Sequence, residues 1–214
     1  MELPKTYLVP FVSILNQGVL PACTAYAIAT VANAQLKAKG IDDTIDPVAY
    51  FSLAGRPFGT KYDLLLDVGK EQGIPSVKGH RYKIWTWDRV PTSSYQRPHP
   101  NCRAPHITPI NPSIDVLKEY IMKYSGVIFT LALRSFTKNF IERIDPKTHN
   151  LEINANDTHA LALVGWDIDA PFEWRVANSW ADFMNSDKGF FDIPYVGFQN
   201  GGDVGNVLYF KLDI

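Results

Sequence analysis

Cys23 stands directly before an alanine- and isoleucine-rich run, in Asn16-Gln17-Gly18-Val19-Leu20-Pro21-Ala22-Cys23-Thr24-Ala25-Tyr26-Ala27. Far downstream come Thr158-His159-Ala160-Leu161-Ala162-Leu163-Val164-Gly165-Trp166 and then Asn178-Ser179-Trp180. A thiol, an imidazole and a carboxamide in this order suit a nucleophile, its base and the group that orients the base. A free thiol has a pKa of about 8.5 and is mostly protonated at neutral pH. Two features would activate it here. The start of a buried helix favours an anion through its backbone N–H groups and dipole, and a histidine brought close by the fold can pair with a thiolate. Asn178 can accept a hydrogen bond from the imidazole and set its tautomer. Gln17, six residues before Cys23 (23 − 17), can donate its amide to a developing oxyanion together with the Cys23 N–H. Trp180 is placed to cover the His–Asn pair.

Each of these residues also has an ordinary reading. A cysteine opening an alanine-rich helix is commonly core filler. A histidine beside an apolar strand is commonly a satisfied structural group, and Asn-Ser is a common turn pair. The functional reading rests on all four occurring in order.

These residues need elements to hold them. Residues 1–22 read as an extended lead-in with Pro4, Pro10 and Pro21. Cys23 to Lys39 reads as a buried helix stopped by Gly40. Asp46-Pro47 opens a helix through Leu53. Tyr62 to Gln72 forms a third, with Leu64, Leu65 and Val68 at helical spacing and Gly73 closing it. Residues 80–112 hold six prolines and three of the five histidines, and read as a long surface segment with little regular structure. Ser113 is an N-cap signal for a helix through Met122. Beyond Gly126 the pattern changes to strands: Val127–Leu133, Ala160–Asp167, Glu173–Asn178, Gly189–Ile193 and Val207–Leu212. Helices gather in the N-terminal half and strands in the C-terminal half. That segregation predicts an α+β fold with two lobes and a cleft between them.

The bulk properties exclude several classes. The chain has 214 residues, 46% of them hydrophobic, and a net charge of −1. It has the composition of an ordinary globular domain. No Lys/Arg run points to nucleic acid, and no apolar stretch reaches membrane-spanning length. The N-terminus lacks the basic and apolar regions of a signal peptide, so the expected location is cytoplasmic or otherwise intracellular, or inside a virus particle. Cys23 and Cys102 are the only cysteines, which fits a chain without disulfides in a reducing compartment. Asn156-Asp157-Thr158 is a glycosylation pattern immediately before His159, where a glycan would obstruct the site. His99, Cys102 and His106, with His80 upstream, have spacings a zinc site can use, but the segment is proline-rich and lacks a paired Cys-x-x-Cys. It reads as a surface loop carrying a leftover thiol, or as a loop gating substrate. No metal and no cofactor are expected.

The quoted motifs resemble the papain-like cysteine peptidases, the family of papain and the cathepsins. Gln17-Gly18 and Cys23-Thr24-Ala25-Tyr26 resemble its oxyanion glutamine and nucleophile stretch. His159 to Trp166 resembles its histidine strand. Asn178-Ser179-Trp180 with Gly189-Phe190-Phe191 resembles its asparagine motif and following strand. The separations are 136 residues from Cys23 to His159 (159 − 23) and 155 from Cys23 to Asn178 (178 − 23), at or slightly beyond the family's range. The resemblance runs from about Leu3 to Leu212.

It implies a single papain-like catalytic domain over 1–214. A helical lobe would cover about 15–112. A β-rich, barrel-like lobe would cover about 113–214 plus the lead-in. It implies that Cys23 attacks the scissile carbonyl, His159 acts as base and then acid, Asn178 orients His159, and Gln17 with the Cys23 amide forms the oxyanion hole. Gly59 would match the glycine loop that holds substrate backbone. Thr158 would lie near the pocket for an apolar side chain two residues before the cut, and Trp180 would flank the site. The implied partner is a peptide or protein substrate, with an assembly partner or inhibitor controlling activity; nucleic acid and membrane are not implied.

The departures are specific. Leu20 stands where the family has a cysteine, Thr24 stands where it has tryptophan, and Ala181-Asp182 follows the asparagine motif in place of glycine. Gln17 comes too early for an inhibitory propeptide. Either the chain is a processed form, or activity would be restrained by assembly, location or narrow specificity. An amidase, isopeptidase or acyltransferase using the same thiol, or a catalytically silent binding module, remain alternative readings.

Overall fold

The computed structural model describes residues 3–54, 60–92, 94–97, 106–109, 112–132, 158–169, 173–180, 189–194 and 204–214. Strand β1 (Thr6–Leu8) leads through an irregular stretch to helix α1 (Cys23–Ala38). Every residue of α1 from Thr24 to Leu36 is buried, so its polar side chains must find partners inside the protein. Gln35 does so three times: Nε2 donates to the carbonyls of Tyr124 and Phe210, and Oε1 accepts from Leu212 N–H. Asn33 Oδ1 accepts from Ile45 N–H at 2.8 Å. These bonds lock the helix in register with elements distant in sequence.

Helix α2 (Pro47–Leu53) is capped by the Asp46 carboxylate, which accepts from Val48 and Ala49 N–H, with Pro47 supplying the fixed φ of a first turn. Helix α3 (Tyr62–Glu71) ends just before Gly73. The short strands β2 (Ile74–Pro75) and β3 (Arg81–Tyr82) pair with each other, and β4 (Ile84–Arg89) follows. Strands β5 (Ser94–Arg97) and β6 (His106–Pro109) form a second small antiparallel pair. Helix α4 (Ile114–Tyr124) is capped by Ser113, whose hydroxyl accepts from Val116 N–H. The remaining strands are β7 (Val127–Ala132), β8 (Thr158–Asp167), β9 (Glu173–Ala177), β10 (Phe190–Pro194) and β11 (Val204–Leu212).

The main sheet is antiparallel, in the order β10-β9-β8-β7-β11-β4, with β1 pairing β8 as a seventh strand. Strand β8 is its hub. It pairs β7 through Thr158–Leu163 and β1 through Gly165–Asp167 along one side, and β9 along the other. Gly165 is needed there: a Cβ would come within 2.3 Å of the Tyr7 carbonyl of β1. Helix α1 packs on β8, β7 and β11, and one apolar core joins its alanines and Ile28, Val31 and Leu36 to the strands.

Two sequence expectations change. The sheet is not a closed barrel: among the described strands β10 and β4 end it, whereas closure requires the terminal strands to pair. Residues 80–112 are also not uniformly irregular. Ile84-Trp85-Thr86-Trp87 carries the aromatic and β-branched side chains a strand favours, and β4 joins the main sheet through β11. The prolines of this segment all lie beyond β4, so averaging over the whole stretch hid it. No described helix is long and apolar enough to cross a membrane.

Candidate active site

Cys23 is the first residue of α1, and Ala22 before it offers no side-chain cap. The first-turn N–H groups are therefore left for another acceptor. The Cys23 sulfur is such an acceptor: the backbone amides of Cys23 and Thr24 and the backbone of Ala160 lie where they favour its thiolate. Burial outweighs them and pushes the thiol's pKa up. The Thr24 hydroxyl, buried, also donates to the Thr60 carbonyl at 2.7 Å. Thr24 thus ties the helix start to the chain entering α3.

Ala160 directly follows His159 on β8, so the strand that touches the sulfur also carries the imidazole. His159 is 2% exposed and Asn178, just beyond β9, is also 2% exposed. Register brings them together, because β8 and β9 are paired strands and Ala162 faces Ala177. His159 Nε2 lies 2.8 Å from Asn178 Oδ1. A carboxamide oxygen only accepts, so Nε2 carries the proton and Nδ1 is the ring's lone-pair nitrogen. The Asn178 Nδ2 group is buried and has no partner among the described residues. Trp180 stacks on His159, with ring centroids 3.8 Å apart and planes 14° from parallel. Burial drives the His159 pKa down to about 4, against the opposing pull of the Asn178 bond. Burial thus disfavours the charged form of both the thiol and the imidazole.

Gln17 is buried and is held by the Asn178 segment. Its N–H donates to the Ser179 carbonyl at 2.8 Å, and its Oε1 accepts from the Ser179 hydroxyl. Its Nε2 donates one hydrogen to the Leu20 carbonyl and carries a second. Ser179 was not singled out by the sequence; Gln17 and Ser179 lie 162 residues apart and no spacing rule links them. Tyr62 was missed as well. Its buried hydroxyl donates to the Phe129 carbonyl at 2.6 Å, and it lies close enough to Cys23 for a thiolate there to raise its pKa further.

Thr158 is exposed at the start of β8, where it pairs Ala132. Gly59, His99 and Cys102 lie outside the described residues, and His106 is described only as part of strand β6. His80 hydrogen-bonds the Asp43 carboxylate. Among the described residues no three His, Cys, Asp or Glu side chains gather as a metal site would require.

No protein-family profile and no curated protein sequence matches the chain. Solved structures do. Xylellain, a cysteine protease from Xylella fastidiosa, superposes with a TM-score of 0.72 at 17% identity, over 98% of this chain and 87% of that one. A digestive procathepsin L 3 from the larval midgut of Tenebrio molitor gives 0.66 at 12% identity, over 98% of this chain and 70% of that one. A procathepsin B from Trypanosoma congolense gives 0.65 at 12% identity, over 100% and 78%. With near-complete coverage by structures of this one kind, the chain has the papain-like cysteine protease fold.

Proposed function

We propose that this chain is a cysteine peptidase that cleaves peptide bonds through an acyl-enzyme on Cys23. The observation that carries the reading is the His159–Asn178 bond at 2.8 Å, made by the strand whose next residue touches the Cys23 sulfur. In this reading the site lies in a cleft between a helical lobe and a β-rich lobe of one catalytic domain. As the thiol attacks the scissile carbonyl, His159 Nδ1 takes its proton, and the carbonyl π pair moves onto oxygen. The Gln17 amide and the Cys23 N–H receive that oxyanion. The tetrahedral adduct collapses as the His159 imidazolium protonates the leaving amine, and water then hydrolyses the thioester by the same route in reverse. Asn178 holds the tautomer throughout, and Trp180 screens the His–Asn bond from water. Thr158 flanks the path of the acyl portion of the substrate, and Gly59 is assigned by resemblance to bind its backbone.

Burial that disfavours both charged forms suits a site that forms its ion pair only when substrate arrives. Incubating the wild type and Cys23→Ala with a peptide library tests the reading: the wild type is expected to cleave, and the variant to lose more than about a thousandfold of that activity. Cleavage that survives in Cys23→Ala overturns the mechanism. A neutral, desolvated thiol is also what a silent module would keep. Labelling of Cys23 by a peptidyl epoxide, without labelling of Cys102, decides against that module, and partition of the acyl group to added amines separates hydrolysis from acyl transfer.

A further inference from the structure

Strand β1 and its flanking residues form a short arm, 3–9, laid along β8. Its ties are specific. Val9 N–H donates to the Val164 carbonyl at 2.8 Å, Ile168 N–H to the Lys5 carbonyl at 3.2 Å, and Trp166 Nε1 to the Pro4 carbonyl at 3.0 Å. The Thr6 hydroxyl donates to Asp167 Oδ1 at 3.0 Å, and Tyr7 stacks on Trp166. All of these partners lie on β8 or one residue past it.

The arm joins the body through a turn at Val9-Pro10-Phe11-Val12, with Pro10 and Phe11 at its corners. Phe11 has a φ of 66°. A turn of this kind ordinarily takes Gly or Asn after its proline, because that position is left-handed. A bulky side chain there is strained. Packing does not offset the strain, since Phe11 is 63% exposed. Leu8 is 49% exposed and Pro10 is exposed as well. Among the described residues, neither Pro10 nor Phe11 makes a backbone hydrogen bond to another element. The pivot is thus strained and lightly held, with three exposed apolar side chains around it.

A strained hinge beside a transferable arm favours exchange between identical chains. We infer that two copies of this chain exchange residues 3–9, each arm seating on the β8 of the other copy. The arm matches its slot residue by residue, so the occupant of a vacated slot is the arm of a second copy. Exchange keeps every tie the arm makes. Opening Pro10–Phe11 to extended backbone relieves the strain in both chains. From Val9, seated on the other copy, to Val12 on its own body, the chain spans at most about 10 Å. The two pivots therefore lie side by side, and Leu8, Pro10 and Phe11 of both copies meet about a two-fold axis. That contact covers apolar surface which each monomer exposes. Strain relief and this burial oppose the entropic cost of association, so the dimer grows with concentration.

Light scattering from about 1 to about 500 µM tests this on the wild type and Phe11→Gly. The wild type should pass from monomer to dimer as concentration rises. Phe11→Gly should dimerise about tenfold more weakly or worse, because glycine holds the left-handed φ without strain. A crosslink distinguishes exchange from simple contact. Thr6 and Asp167 are strand partners whose side chains touch. In Thr6→Cys/Asp167→Cys, with Cys23→Ala and Cys102→Ala added, oxidation of the concentrated protein should join two chains covalently. A wild type that stays monomeric throughout overturns the inference. So does a dimer whose engineered cysteines pair only within one chain, and so does a Phe11→Gly that dimerises as well as the wild type. If the engineered pair does not oxidise, the scattering comparison alone decides. Neither measurement reads peptide cleavage, so the peptidase reading stands or falls separately.

Discussion

Two buried polar centres lie beyond opposite ends of α1, and they are satisfied to very different degrees. Past its C-terminal end, the Asp43 carboxylate is saturated. Oδ2 accepts from the Ser76 hydroxyl at 2.7 Å, from His80 Nδ1 at 2.7 Å and from the Tyr82 hydroxyl at 2.8 Å, while Oδ1 accepts from Thr44 N–H. Burial alone would raise its pKa; these donors together hold it well below the usual carboxylate range. At the N-terminal end, the Asn178 amide uses its oxygen and leaves Nδ2 without a partner among the described residues, and burial disfavours the charged forms of Cys23 and His159. The first centre is built to hold one protonation state. At the second, burial outweighs the hydrogen bonds that favour charge.

If this contrast is correct, substitutions at the two ends should fail in different ways. The largest effect should come from His159→Ala, with peptide cleavage reduced more than about a thousandfold and thermal stability changed little in comparison. Steady-state kinetics beside a thermal melt checks both halves. Asp43→Ala should do the opposite. Stripping the shared acceptor from several buried donors should cost about 3 kcal/mol, or about 10 °C in Tm for a domain of this size, while the protein that remains folded keeps its turnover. A melt that does not move would break the comparison.

A smaller effect distinguishes the two ends by pH. His159 has a folded pKa below its unfolded value, so between about 6.5 and about 4 the unfolded chain binds the extra proton and stability falls as pH is lowered. Asp43 also has a depressed folded pKa, but its contribution is complete above about 4 and is lost only as pH falls further. Denaturant titrations at stepped pH should show two windows, and His159→Gln should remove the upper one alone. The smallest expected change is Tyr82→Phe, which takes one of the donors from Asp43 and should cost about 1 kcal/mol, read from the denaturation midpoint.

The helices were legible because their ends carry local chemistry. Asp46-Pro47 and Ser113 cap in the structure as their types predict, and Gly40 and Gly73 follow the last turns of α1 and α3. The five C-terminal strands were legible from their apolar runs. The His159–Asn178 pair was legible because each residue sits in a recognisable motif, although nothing local says that β8 and β9 are neighbours. Three things were not legible. Strand β4 was masked by the prolines that follow it. The open sheet was hidden because closure depends on which strands end the order, and periodicity carries no such information. The Ser179–Gln17 bond and the direction in which Cys23 and His159 are shifted depend on burial and on contacts between distant segments. The lead-in shows the same limit, since Tyr7 and Trp166 stack only because β1 joins β8.

That pairing bears on the order in which distant parts of the molecule can meet during synthesis. Thr6–Leu8 are made well before their strand partners in Gly165–Asp167, and Gln17 well before Ser179, which braces it. Contacts of such sequence separation also form slowly. A nascent chain stopped short of Asn178 carries the Cys23 thiol without the His159–Asn178 bond or the Ser179 brace. The order of translation thus withholds those contacts until the segment around Ser179 has followed the thiol.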